Sequence, residues 1–65
     1  MKSFNLLDVV ATSEDIPSKN LVRDQIGTVV ELLSASMFEV EFCDDNGRSY
    51  LSTALDASQL ILLRR

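Results

Sequence analysis

The run Phe38-Glu39-Val40-Glu41-Phe42, followed at once by Asp44-Asp45-Asn46-Gly47, constrains this chain more than any other feature. Strict alternation places Phe38, Val40 and Phe42 on one face of a strand and both glutamates on the other. At helical spacing the same residues would mix charge and aromatic rings on every side. Asn46-Gly47, between this run and a second apolar one at residues 48–55, predicts a hairpin with a type I′ turn, whose two central residues both take positive φ. The hairpin commits the chain to antiparallel pairing.

The rest of the sequence reads in the same terms. Residues 4–12 are rich in Leu and Val, lack Gly and Pro, and read as a strand. Residues 13–20 are polar and read as a long loop, which Pro17 keeps extended rather than helical by fixing its own φ and restricting Ile16. At residues 26–33 β-branched side chains cluster. Ile26, Thr28, Val30 and Leu32 share one face there and Gly27, Val29, Glu31 and Leu33 the other, and Gly27 signals a bulge, a bend or a close backbone approach. Asp56-Ala57-Ser58-Gln59 is too short for a stable helix and reads as one short 3-10 turn before a last strand at residues 60–63. Five short strands in one chain of 65 residues predict an all-β single domain over residues 1–65, a small five-stranded SH3-like barrel, closed or nearly so, which limits unprotected edges.

Composition narrows the chemistry. A domain of this size buries only about 60% of its unfolded surface, and the single cysteine, Cys43, cannot form an internal disulfide. A lone thiol suits a reducing cytoplasm, the expected location. Asp8 interrupts the N-terminal apolar stretch too early for a leader or a membrane span. Six Lys and Arg against ten Asp and Glu give a net charge of −4, which repels phosphate backbones. With no histidine, the commonest general base and metal ligand are missing. Gly27 and Gly47 stand too far apart for a phosphate-cradling loop. No catalytic, cofactor-binding or metal-ligating residues are expected, and the chain is not expected to be an enzyme. Cys43 lies beside Asp44 and Asp45, whose charge opposes a thiolate.

Asp8-Val9-Val10-Ala11, Glu14-Asp15-Ile16-Pro17, Gly27-Thr28-Val29-Val30-Glu31, the alternating strand and Gln59-Leu60 occur in an order that resembles a family of small bacterial proteins known as domain of unknown function 4926, over nearly the whole chain. Gly27-Thr28-Val29-Val30 also resembles the strand after the turn in SH3-like barrels such as the KOW module. The resemblance implies the fold and carries no site residues with it. KOW modules in ribosomal settings are typically basic, whereas this chain is acidic.

Two surface features remain. Glu31, Glu39 and Glu41 share one outer surface if their strands pair, with Asp44 and Asp45 at its hairpin end; this patch is either a solvated exterior or a docking face for a basic protein. Val29, Leu33, Leu51, Ile61 and Leu63 lie opposite the expected core positions or exceed what a small core can absorb, so some of them are expected at an interface. A plain monomer with a second small core under the long loop is the alternative. Tyr50 reads as a cross-strand partner of Phe42 or Phe38, and Arg64 and Arg65 as a solvated end. The expected function is a protein-interaction module, an accessory or regulatory subunit that binds a protein partner or itself, in complex assembly or toxin neutralisation. The alternative is a nucleic-acid or ribosome-associated barrel, which would need a basic stripe from Lys19, Arg23 and Arg48.

Overall fold

A computed structural model of the chain describes residues 3–65. Met1 and Lys2, where the stretch read for a leader begins, lie outside the described residues. Five strands, β1 Val9–Thr12, β2 Ile26–Leu32, β3 Met37–Cys43, β4 Ser49–Asp56 and β5 Leu60–Arg64, alternate with two 3-10 turns, Pro17–Lys19 and Ala57–Gln59. All pairings are antiparallel, in the order β4-β3-β2-β1-β5. The fold is all-β, and a 3-10 turn leading into a last strand that returns to β1 is the SH3-like arrangement. The sheet curls without closing, so β4 and β5 remain its two edges.

Curling is what lets one sheet bury a face. Register shifts at Val9/Val10, Val29/Glu31 and Phe42/Cys43 add local twist. Val10, Val29, Val40, Phe42, Leu55 and Leu60 fill the concave side, each with 0% exposure. Phe4, Ile16 and Leu21 arrive from outside the strands to cover them. Phe4 meets Phe38 edge-on with ring centroids 5.2 Å apart. Burial of a side chain such as Phe42 or Leu55 contributes roughly 1.5–3 kcal/mol, a large share of what so small a domain has.

The first strand starts later than expected. Leu7 takes φ 70, the Asp8 N–H donates to the Asn5 carbonyl at 3.1 Å, and the Asn5 N–H donates to Asp8 Oδ2 at 2.8 Å. Residues 5–8 therefore turn, and Phe4 is a plug rather than a strand residue. The long loop is also more ordered than an extended connection. Ile16 is extended at φ −129, as the following proline demands, but Pro17–Lys19 forms a 3-10 turn that ends on left-handed Asn20. Proline suits the first helical position because its missing N–H has no partner there to lose. Thr12 pins the loop's far end: its hydroxyl donates to the Val22 carbonyl at 2.6 Å and accepts the Gln25 N–H at 2.9 Å.

The hairpin forms where the sequence places it, with a different turn. Only Gly47 has positive φ, at 78, and Asn46 does not. The Gly47 N–H donates to the Asp44 carbonyl and the Asp44 N–H to the Arg48 carbonyl, both at 2.9 Å. This is a type I turn followed by a left-handed glycine bulge rather than a type I′ turn. The reason is Asp44: its Oδ1 accepts the N–H groups of Asn46 and Arg48 at 2.9 and 3.0 Å, which holds the first half of the turn in the right-handed region.

Candidate functional site

Residues opposite one another in a ladder share a face, and those two apart along a strand share it again. Val9 is opposite Thr28, and Thr28 is opposite Glu41. Ala11, two residues after Val9, lies between Ile26 and Ile61. Val30 is the residue left over at the β2 shift, and Glu31 faces Glu39 beside it. The convex outer surface thus carries Ile61, Ala11, Val9 and Ile26 across β5, β1 and β2, with Thr28 among them and Arg64 at the β5 end, and is acidic along the β2–β3 side. Ile26 is 59% exposed and Ile61 42%, and they flank the small Ala11, which is itself buried.

The acidic side is only partly committed to internal bonds. Glu31 and Glu39 are directly paired, an arrangement in which like charges repel. Glu39 Oε2 accepts the Ser52 hydroxyl at 2.8 Å. The Cys43 thiol, exposed and free, lies 3.9 Å from Glu41 Oε1. Among the described residues the one ion pair is elsewhere, Arg65 Nε to Asp8 Oδ2 at 3.4 Å. There the exposed Arg65 reaches a buried carboxylate, so this residue of the expected solvated end is tied down.

The structure brings Glu31, Glu39 and Glu41 together. It separates them from Asp44, whose carboxylate holds the hairpin turn, and from Asp45 at the exposed tip. Of the apolar interface candidates, Val29 is not available: it lies in the core at 0% exposure. Leu51 is half-buried and packs against that core. Leu33 stands exposed at the β2–β3 turn, where its N–H donates to the Met37 carbonyl at 3.0 Å. Ile61 and Leu63 are exposed on β5.

Val29 is buried because β2 turns inward the face opposite to the one its alternation suggests. Gly27 and Val29 face Phe42 and Val40, and Gly27 has no room for a side chain, since a Cβ there would come within 2.7 Å of Val40 Cγ1. Ile26 and Val30 therefore point out, and sequence reasoning missed both. The usable signal was Gly27 itself: a close approach to the Phe38-Val40-Phe42 face fixes which side of β2 is inward. Tyr50 does not stack on Phe42 or Phe38 as a core partner; it is exposed, and its hydroxyl accepts the Gln25 side-chain N–H at 2.9 Å.

The described residues enclose no ligand-sized cavity and contain no cluster of three metal-ligating side chains. Lys19, one of the three cations a basic stripe would need, gives its ammonium to the Ala54 carbonyl on β4. No described helix is long and apolar enough to cross a membrane.

These features define a small all-β domain whose distinguishing surface is a convex, half-apolar and half-acidic sheet face. The match to the family model described as a domain of unknown function (DUF4926) spans residues 6–62, and the chain belongs to that family. No curated protein and no solved structure matches it.

Proposed function

We propose that this domain is a non-catalytic protein-interaction module, an accessory or regulatory subunit that docks on another protein through the outer face of its sheet, in complex assembly or toxin neutralisation within a reducing compartment. The observation that carries the reading is the alignment of Ile26, Ala11 and Ile61 across three adjacent strands. Apolar side chains scattered singly are ordinary on a small protein, but neighbours in one ladder row make a surface that gains from being covered. A standard interface takes about 800 Å² from each partner, about a fifth of this domain's 4228 Å² surface.

The test is gentle recovery of the tagged chain from its native lysate, with intact-mass measurement of what it carries, beside an Ile26→Ser/Ile61→Ser variant. A stoichiometric protein complex that the variant loses supports the module. Turnover of a substrate by the purified chain alone, or recovery of the wild type only as free monomer, overturns it. A nucleic acid recovered instead would favour the ribosome-associated alternative.

A further inference from the structure

Resting on that reading, we infer that the occupant of the outer face is a basic, amphipathic segment of a different protein, whose apolar side covers Ile26 and Ile61 while its Lys or Arg residues meet Glu31, Glu39 and Glu41. Three arguments select this partner over others. The apolar row and the glutamates are not separate patches: in the adjacent ladder row Val9 and Thr28, two residues along from Ala11 and Ile26, lead from Arg64 on β5 to Glu41 on β3. Among the described residues the glutamates carry no ion pair of their own, the one such pair being between Arg65 and Asp8. Glu31 directly opposite Glu39 is an unfavourable pairing that a cation placed between the two carboxylates would relieve.

A second copy of the chain fits less well. Its corresponding face offers Arg64, opposite Val9, against three glutamates, and each copy brings a net charge of −4. An acidic or phosphate-bearing partner meets the same repulsion. The free edges are poorer sites than the face. On β4 the Lys19 ammonium already occupies the Ala54 carbonyl, a common device for blunting an edge. On β5 the register shift opposite Val9/Val10 interrupts the run of regularly spaced backbone groups that an added strand needs.

The experiment uses three synthetic 18-residue helical peptides with the same leucine face and a lysine, glutamine or glutamate polar face, titrated into isotope-labelled domain at low and moderate salt. The lysine peptide is expected to bind and to shift the amide signals of Val9, Ile26, Thr28, Val30, Glu41 and Ile61. Ile26→Ser/Ile61→Ser, and separately Glu31→Gln/Glu39→Gln/Glu41→Gln, are each expected to weaken it at least tenfold, and the second also to flatten the salt dependence. A control that removes as much charge elsewhere, Glu14→Gln/Asp15→Asn/Asp45→Asn, should change affinity less than twofold. Each variant's dispersed amide spectrum shows that it is folded.

Equal weakening by the control, equal binding of the glutamine peptide, or shifts centred on the hairpin tip would overturn the assignment. So would a wild-type dimer at micromolar concentration that Ile26→Ser/Ile61→Ser dissolves. A native complex that survives the glutamine substitutions but not the serine ones keeps the module and refutes the basic partner, whereas absence of any complex removes both.

Discussion

Gly27→Ala tests the packing logic of the whole sheet with one methyl group. The new Cβ would lie 2.7 Å from Val40 Cγ1, 2.9 Å from the Glu41 carbonyl oxygen and 2.9 Å from Phe42 Cδ1. All three are closer than a carbon normally approaches, and the middle one is backbone of β3. Overpacking of this kind costs about 1–3 kcal/mol, and three simultaneous contacts, two of them on side chains with 0% exposure, place Gly27 toward the upper end. Alanine returns roughly 0.4–1 kcal/mol by restricting the unfolded chain. The net loss is then about 1–2 kcal/mol, which for a domain of this size lowers Tm by about 5–15 °C. Thermal melts followed by circular dichroism give the number, and a cycle with Val40→Ala gives the cause. Val40→Ala removes Cγ1, so the double variant should be less destabilised than the sum of the singles by about 1 kcal/mol. A Tm at or above wild type with strictly additive costs would refute the close approach, and with it the assignment of the inward face of β2.

Three further outcomes follow from described geometry. Val40→Asp places an unpaired carboxylate at a position with 0% exposure and should abolish the cooperative melt near neutral pH; a dispersed amide spectrum would show the register of β3 to be wrong. Gly47→Val should cost about 1–3 kcal/mol because a β-branched residue resists φ 78 even though the space around Gly47 is open. Gly47→Asn should cost much less, and equal urea midpoints for the two variants would contradict the left-handed turn. The Asp56 carboxylate is held below its ordinary pKa by the Ser58 hydroxyl and then by the Ser58 N–H. Its contribution is therefore full above the ordinary aspartate value and is lost as pH falls through the lower folded value. Asp56→Ala should melt below wild type near neutral pH, with the gap closing in acid; a gap independent of pH would assign the effect to something other than the charge.

The alternating strand was legible because both of its faces are chemically distinct: aromatic and valine inward, glutamate outward. In β2 they are not. Ile26, Val29, Val30 and Leu32 put apolar residues on either side, and the shift at Val29/Glu31 breaks the period midway, so alternation alone selects the wrong face. The 3-10 turn before β5 was visible in its composition. Its Asp56 and Gln59 form a reciprocal cap, in which Gln59 Oε1 accepts the Asp56 N–H at 3.0 Å and Asp56 Oδ2 accepts the Ser58 N–H at 2.8 Å. The early end of β1 was illegible because Leu6 and Leu7 look like strand residues, while the turn that stops them depends on a buried carboxylate at Asp8 and a partner 57 positions away at Arg65. The glutamate cluster was readable from the expected pairing of β2 with β3. Its continuity with Ile26 and Ile61 was not, since that depends on how β1 lies between β2 and β5.

The placement of β1 between β2 and β5 also sets a clock. The strands β2, β3 and β4 follow one another in the chain and are neighbours in the sheet, so this meander can assemble once Asp56 is free of the ribosome. β1 is made first, yet one of its two flanks waits for β5, with Thr12 meeting Leu60 and Val9 meeting Arg64. During synthesis at roughly 5–20 residues per second, the oldest strand stays half-bonded until nearly the newest one has emerged. Chain order and completion order therefore run opposite ways in this domain, and a chain without β5 in place leaves β1 exposed as an edge.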